Sequence, residues 1–198
     1  MKLRFQPRDD VSQRVRTAAG LTVRLAGTTD ALRFALAAGD DEAQRWLGWN
    51  RSQLVPIESQ RHARRQTRGA ASGPPLEDGS GATLLAALVG EDYVGGVQLS
   101  PVAGSDYSAV AGPDSCALGG VVVATLRGRG IGSAMFAAGA LFAHERLGVA
   151  RVVAACQVGH ESSRRALLSA GFEPADGPGE HELPDGRVVP SLWFARSW

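Results

Sequence analysis

The sequence predicts a single α/β domain with a mixed, mostly antiparallel sheet, one parallel strand pair and flanking helices. Three patterns predict this architecture. Two apolar runs, at residues 82–89 and 93–99, flank a short turn, which is typical of a β-hairpin. Residues 117–156 predict a strand, a glycine-rich turn, a helix and a second strand, the order that brings two strands together in parallel. A final hairpin within residues 172–196 closes the sheet.

The first part of the chain predicts a strand followed by two helices. Residues 21–25 alternate like a strand, and a helix is expected to start at Asp30. Residues 40–49 (DDEAQRWLGW) predict a second, short helix, because acidic residues favour a first turn and an apolar face follows. The hairpin turn is Gly90-Glu91-Asp92, and residues 101–116 are predicted to be a loop or a frayed strand entry.

The later elements are predicted by β-branched runs for strands and by apolar spacing with a terminal glycine for helices. In order they are a strand at 118–123, a helix at 132–147 stopped by Gly148, a parallel strand at 151–156, a serine-capped helix from Ser162 ended by Gly171, and a last strand at 186–196 paired with one within 172–182.

The first parallel strand runs into the turn Arg127-Gly128-Arg129-Gly130-Ile131-Gly132. Such a turn directs backbone N–H groups and a helix N-terminus at one place, where an anion such as a phosphate satisfies them. Two common nucleotide motifs do not fit, because the P-loop needs a lysine and the only one is Lys2, and the dinucleotide fingerprint needs Gly-x-Gly-x-x-Gly. Taken alone, the turn could equally be an ordinary tight connection between a strand and a helix.

Composition indicates an ordinary globular protein. The chain has 198 residues and a net charge of +1, so we expect one domain over residues 1–198 and no particular charged partner. No run approaches the roughly 18 apolar residues of a membrane span, and the N-terminus lacks the apolar core of a signal peptide. Cys116 and Cys156 make neither a disulfide framework nor a metal site and are expected to be small buried side chains. We therefore expect a cytoplasmic protein with no metal and no membrane partner.

Two segments are expected to lie outside the regular fold. Residues 1–19 are a variable N-terminal segment, and residues 58–81 are a basic, flexible insertion carrying Arg61, Arg64, Arg65 and Arg68. The insertion is interpreted either as a solvated helix face with a mobile connection or as an acceptor-site rim or anionic-partner patch. No aromatic residue is interleaved with these arginines, which argues against nucleic-acid binding.

The spacing Arg127-x-x-Gly130-x-Gly132 resembles the pyrophosphate-binding motif of the GNAT superfamily of acetyl-CoA-dependent N-acetyltransferases. The family segment Asn-x-x-Ser-x-Arg-x-Leu-x-x-x-Gly-Phe has His160 at its asparagine position and is matched at Ser163, Arg165, Leu167, Gly171 and Phe172. The opening of the chain is similar to the branch of ribosomal-protein N-terminal alanine acetyltransferases, in which a short Asp…Arg-Trp-Leu helix walls the acceptor site. The resemblance covers about residues 20–197.

The resemblance implies an acetyl-CoA site at the parallel pair, whose strands splay apart in this family. Main-chain groups of Val121 and Val123, on either side of Val122, are expected to pair with the pantetheine arm. The pyrophosphate is expected at the side chain of Arg127 and at the turn and first helical residues, because amides, helix dipole and guanidinium all favour a dianion. These residues are Gly128, Arg129, Gly130, Ile131, Gly132 and Ser133, and His160 and Ser163 complete the predicted cofactor-binding set.

Direct attack of an amine on the thioester needs a polarised carbonyl and a proton donor for the departing thiolate. The amide near Val123 is the candidate for the first role. Relatives use a tyrosine or a serine for the second, and Leu167 occupies the tyrosine position, while the only tyrosines are Tyr93 and Tyr107. Ser163 is therefore the candidate acid, with a helix cap as its other role.

The remaining candidate catalytic residues are His160 and Glu182. His160 is expected to contact the CoA arm, to carry protons with a pKa near neutrality, or to be a partly exposed loop residue. No carboxylate lies within residues 117–124, where the family leads us to expect the base. Glu182, in the closing hairpin, is the candidate base, and a chain of water molecules is the alternative.

Together these features predict an N-acetyltransferase that acts on a primary amine, either a protein N-terminus or a small molecule. The alternative is a non-catalytic acyl-CoA-binding or interaction protein with the same fold, which the missing tyrosine, the histidine at position 160 and the missing carboxylate favour. A binder of anionic polymers through residues 61–68 is a third hypothesis, with steep salt dependence as its signature. The family resemblance allows a homodimer.

Overall fold

The computed structural model describes residues 14–16, 20–48, 82–102, 105–112 and 114–198. The helices in these ranges are α1 (Thr28–Ala38), α2 (Asp41–Leu47), α3 (Ile131–Leu147) and α4 (Glu161–Ser169). The strands are β1 (Val15–Arg16), β2 (Leu21–Leu25), β3 (Thr83–Val89), β4 (Asp92–Pro101), β5 (Ser115–Val122), β6 (Arg151–Gln157), β7 (Glu173–Ala175), β8 (Glu180–Glu182) and β9 (Val188–Ser197). Short 3₁₀ turns lie at Asp106–Ala109 and Ala124–Leu126.

The strands form a mixed sheet in the order β1-β2-β3-β4-β5-β6-β9-β7, with β8 paired to β9. Among the described strands every pairing is antiparallel except that of β5 with β6. The predicted fold class is therefore confirmed. The parallel pair is short, because β5 pairs with β6 only over residues 115–117 and 151–153. Beyond these pairs the two strands continue apart, to Val122 and Gln157.

Helices cover both faces of the sheet. On one face α3 packs into the main apolar core, where Met135 and Phe142 are fully buried against strand residues such as Val97. On the other face α1 places Phe34 against Val121 of β5. A three-layer arrangement of this kind buries the apolar sides of the sheet.

The structure changes three details of the predicted elements. The segment 101–116 contains a 3₁₀ turn and the start of β5 at Ser115. The strand predicted within 172–182 is two strands, β7 and β8, both paired with β9. Helix α4 starts at Glu161 after His160, whose side chain makes no capping bond, so the predicted serine cap is wrong and Ser163 is the third helical residue.

The insertion at 58–81 and most of segment 1–19 lie outside the described residues, and their predicted character stays a prediction. Within segment 1–19, Val15 and Arg16 form β1, which pairs with β2, and Val15 is buried in the core, so these two residues belong to the regular fold. Within the described ranges, no helix combines the length and the apolar character that a bilayer span needs.

Candidate active site

Two cavities flank the place where β5 and β6 separate. The first, about 520 Å³, lies between α2, α4 and the glycine-rich turn at residues 127–132, and we call it the turn cavity. The second, about 470 Å³, lies between α2, β6 and residues 181–184, and we call it the hairpin cavity. Six residues line both, namely Trp46, Leu47, Gly120, Phe136, His160 and Ser163. The cavities therefore meet at the gap in the sheet.

The turn cavity ends at the N-terminus of α3. Gly128 and Gly130 have φ values of 75° and 77°, a region that favours glycine. A Cβ built on either residue would have no atom within 4 Å, so space is open in front of the turn. Helix α3 begins after Gly130 without a side-chain cap, which leaves its first amides available. This end of the cavity can receive an anion.

Arg127 lies at this cavity, but its guanidinium is bonded to the N-terminal end of α2. Its Nη1 donates to Asp40 Oδ1 at 2.9 Å and to Glu42 Oε2 at 3.0 Å, and its Nη2 donates to Asp40 Oδ2. Its Nε donates to the carbonyl of Val122 at 3.1 Å. The hydrogen bond from Arg127 holds the pKa of Asp40 below its usual value, so this pair is fully ionised near neutral pH. The structure therefore shows the predicted phosphate ligand engaged with carboxylates.

Two other arginines place positive charge near the turn. Arg129 is exposed within the turn itself. Arg165 projects from α4 and lines the turn cavity. Sequence reasoning matched Arg165 to a family position but did not include it in the site, although its spacing from His160 already placed it on the first two turns of that helix.

The backbone of β5 presents different groups to the gap from those predicted. The N–H of Val123 donates to the carbonyl of Val94 in the neighbouring β4 at 3.0 Å. In an antiparallel ladder the bonded residues alternate, so Val121 also faces β4. The groups directed into the gap are those of Gly120 and Val122, both of which line the turn cavity. Val121 and Val123, which were expected to face the pantetheine arm and the thioester carbonyl, therefore face β4 instead of the gap.

His160 forms part of the wall where the cavities meet. Its ring stacks on Trp46 with centroids 4.1 Å apart and planes 6° from parallel. Burial lowers the pKa of His160 to about 4, with a further lowering by Arg127 and an opposing effect of Glu42. The expected pKa near neutrality is therefore wrong, and the imidazole is uncharged at pH 7. As the loop alternative expects, His160 is a half-buried residue outside the helix, in the connection that leads into α4.

Ser163 lines both cavities from the first turn of α4. Burial raises the pKa of Cys156, which also lines the hairpin cavity, to about 11, so the thiol stays protonated. This agrees with the expected small buried side chain. Ser163 is the one serine of α4 that lines both cavities.

Tyr107, which sequence reasoning set aside, lines the hairpin cavity from the 3₁₀ turn before β5. Its ring packs edge-on against Trp193, with centroids 5.1 Å apart, and against His181 at 6.3 Å. Burial raises its pKa to about 12, so the hydroxyl is protonated. No sequence signal pointed to it, because the turn that positions it is irregular.

Glu182, the candidate base, lies on β8 and is exposed at the rim of the hairpin cavity. Its backbone N–H donates to Asp106 Oδ2 at 3.2 Å, which ties β8 to the turn carrying Tyr107. The described part of the chain contains no group of three or more His, Cys, Asp or Glu side chains arranged for a metal ion. The polar groups that line the two cavities include hydroxyls, the imidazoles of His160 and His181, and the carboxylates of Glu42 and Glu182.

Comparisons with known proteins agree with this architecture. The family model described as acetyltransferase (GNAT) domain matches residues 21–173. No curated protein matches the chain. Similar solved structures include the aminoglycoside acetyltransferase AAC(6')-Ib in complex with coenzyme A and kanamycin, which is 17% identical, with 89% of this chain and 94% of that chain covered at a TM-score of 0.64.

Two further similar structures are those of RimJ and RimL. Mycobacterium smegmatis RimJ in complex with CoA-disulfide is 18% identical, with 93% of this chain and 85% of that chain covered at a TM-score of 0.61. RimL, the ribosomal L7/L12 α-N-protein acetyltransferase in complex with coenzyme A, is 14% identical, with 93% and 97% covered at a TM-score of 0.64. At these identities the likeness establishes the fold.

Proposed function

The chain belongs to the acetyltransferase (GNAT) domain family, and on that premise we propose that it transfers the acetyl group of acetyl-CoA to a primary amine. The observation that carries this proposal is the meeting of two cavities at the gap between β5 and β6. One cavity ends at an anion-binding turn, and the other opens at the opposite side of the gap. Such a passage lets a long acyl donor and an amine approach the same point from two sides.

The turn cavity fits the donor. Open space in front of Gly128 and Gly130 and the uncapped start of α3 suit a pyrophosphate, with the amides of residues 128–133 as its ligands. Arg129 and Arg165 add positive charge at this end. The backbone groups of Gly120 and Val122 suit the amide-containing arm, which would pair with β5 as a further strand. Acetyl-CoA supplies the activated thioester, and the protein supplies position and protons.

The hydroxyls at the gap supply the proton that the departing thiolate needs. In direct attack the amine nitrogen bonds to the carbonyl carbon, the carbon–sulfur bond breaks, and one proton leaves the nitrogen while another reaches the sulfur. We assign proton donation to Ser163, which lines both cavities, with Tyr107 as a second protonated hydroxyl on the acceptor side. Glu182 takes the amine proton at the rim, directly or through water. His160 is uncharged and positions the donor arm.

The acceptor belongs in the hairpin cavity, which is walled by Trp46, Tyr107 and residues 181–184. Its lining carries one carboxylate, Glu182. A single amine beside apolar and aromatic groups matches this wall better than a polycation does, which supports a protein N-terminus or a small monoamine. Structural likeness to both an aminoglycoside and a ribosomal-protein acetyltransferase makes either class worth testing.

The proposal is tested by following release of the coenzyme A thiol from acetyl-CoA with N-terminal peptides, small amines and aminoglycosides. We expect turnover with at least one amine. The Ser163→Ala variant should then lower kcat by about 10- to 100-fold while the KM for acetyl-CoA changes little. Ser108→Ala, which removes an exposed hydroxyl outside both cavities, serves as the control. Binding of acetyl-CoA without turnover of any amine would instead favour the non-catalytic acyl-CoA-binding alternative.

A further inference from the structure

We infer that Arg127 is a positioning residue, which holds helix α2 across the parted strands β5 and β6 and so builds the wall shared by the two cavities. This inference rests on the proposed function, because α2 is taken as part of the acceptor wall. It differs from the role that the glycine-turn motif predicts for this arginine, which is to bind the pyrophosphate.

The first observation is the bonding at the N-terminal end of α2. The Arg127 guanidinium donates two hydrogen bonds to the carboxylate of Asp40 and a third to Glu42. Its Nε donates to the Val122 carbonyl of β5. The Arg127 and Asp40 side chains are 24% and 30% exposed, so the contact is largely shielded from water. Two-point pairs of this kind are the strong and directional ones. Asp40 is also the N-cap of α2, because its Oδ1 accepts from the Ala43 N–H at 3.1 Å.

The second observation is the bonding at the opposite end of α2. Gln157, the last residue of β6, donates from Nε2 to the carbonyls of Trp46 at 2.8 Å and Arg45 at 3.2 Å. Arg187, beside β9, donates to the carbonyls of Gln44 at 3.0 Å and Arg45 at 3.1 Å. These bonds satisfy carbonyls that the end of a helix leaves free. Helix α2 is thus fastened to β5 at one end and to β6 and its neighbour at the other.

The third observation is the balance of charge at the turn. Two carboxylates, of Asp40 and Glu42, already face the single guanidinium of Arg127. A pyrophosphate would have to displace both to reach it, and the displaced carboxylates would then repel the phosphate. Arg129, which is exposed in the turn, and Arg165, whose Nε lies 3.6 Å from Glu161 Oε1 of its own helix, offer further positive charge at the same end. The positive charge of Arg127, the arginine of the motif, is therefore already paired with carboxylates of the protein.

Arg127 affects the site through the cavity-lining residues that α2 carries. Trp46 and Leu47 line both cavities, and Trp46 stacks on His160 at the gap. If the N-terminal fastening is released, α2 keeps its bonds to β6 and Arg187 and its contacts with α1, but it loses its tie to β5. The acceptor wall then loses its fixed position, while the amides that face the donor stay in place. Arg127 is thus expected to govern use of the acceptor more than affinity for coenzyme A.

The test uses two variants. Arg127→Lys keeps the positive charge but cannot make the two-point contact of a guanidinium. Asp40→Asn keeps a side chain that can cap the helix but removes the negative charge. Hydrogen exchange of the amides of residues 44–48 reports on α2, and calorimetry with coenzyme A reports on the donor site. Arg129→Gln is the matched contrast, because it removes an arginine from the same turn without touching α2. Neither readout needs turnover, so the result stands even if no amine acceptor is found.

We expect exchange in residues 44–48 to rise about tenfold in both variants and no further in the double variant, because both remove one contact. Coenzyme A affinity should change by less than about threefold in Arg127→Lys. Arg129→Gln should weaken coenzyme A and leave α2 exchange unchanged. The inference is overturned if α2 exchange is unaffected by Arg127→Lys and Asp40→Asn. It is also overturned if Asp40→Asn tightens coenzyme A binding about tenfold, since that is the response of a phosphate ligand released from a competitor.

Discussion

His160 shows at the scale of a single residue how packing decides what a side chain can do. In the sequence it replaces an asparagine of the family segment, and histidine in general titrates near neutral pH. In the structure its ring is stacked on Trp46, and burial lowers its pKa to about 4. It therefore acts as an uncharged, aromatic part of the cavity wall at physiological pH.

This shift predicts a pH dependence of stability. The folded pKa of His160 lies below its ordinary value of about 6.5, so between these values the unfolded chain binds a proton that the folded chain does not. The stability that the neutral ring contributes is present above pH 6.5 and is lost as pH falls towards 4. The protein should lose about 1–2 kcal/mol more than a His160→Phe variant between pH 7.5 and 4.5, measured by urea unfolding. Equal losses in the two proteins would show that the ring is not protected from protonation.

The turn between β5 and α3 shows at the scale of an element how backbone conformation makes a binding surface. Gly128 and Gly130 adopt left-handed φ values, and α3 starts without a side-chain cap. The local sequence is sufficient for this, because glycine is the residue that tolerates such φ values and the helix begins directly after it. What the turn binds depends on the open space in front of it, which neighbouring elements leave free.

A pair of glycine substitutions separates conformational strain from ligand contact. Gly130 and Gly90 both have left-handed φ values, 77° and 61°, and a Cβ on either meets no atom within 4 Å. Alanine at either position should therefore lower the free energy of unfolding by the same amount, about 1–2 kcal/mol. Gly130→Ala alone should also weaken coenzyme A binding at least about tenfold in calorimetry, because its Cβ would occupy the open space in front of the turn, where the pyrophosphate is proposed to lie. Equal coenzyme A affinity in both variants would remove the turn from the donor site.

At the scale of the whole molecule, the sheet is divided at its parallel pair. Strands β1 to β5 and strands β6 to β9 are joined through three paired positions, Ser115–Ala117 with Arg151–Val153. Helix α2 crosses the gap above this junction, and α3 and α4 pack together on the other face. A donor that lies in the gap and pairs with β5 would connect the two parts of the sheet.

Coenzyme A binding should therefore stabilise the whole fold. At 100 times the dissociation constant, linkage gives about 2.7 kcal/mol, which corresponds to roughly 5–10 °C in Tm for a chain of this size. Hydrogen exchange should slow at the gap-facing amides of residues 118–122 and 154–157, the parts of β5 and β6 that do not pair with each other. Pantetheine, which lacks the pyrophosphate, should stabilise much less. A Tm that does not move at saturating coenzyme A would contradict placement of the donor in the gap.

Much of the fold follows from local patterns. The strands at 21–25, 82–89 and 151–156 and the helix ended by Gly148 were predicted because periodicity and terminal residues act over a few positions. The serine cap of α4 was wrong, because three polar residues in a row leave the start of a helix undetermined by a few positions. Val121 and Val123 were expected to face the gap but face β4, because the sequence of a strand does not show which neighbour each N–H faces.

The sequence by itself determined the order of most elements, the family to which the chain belongs and the glycine-rich turn before α3. These depend on residues close together in the chain, whose spacing is visible directly. The tertiary structure decided which side chains share the gap. Arg127 meets Asp40 across 87 positions, and Tyr107 reaches the hairpin cavity from an irregular turn. Such partners are set by the packing of distant elements, and with them the charge and protonation of each group at the site.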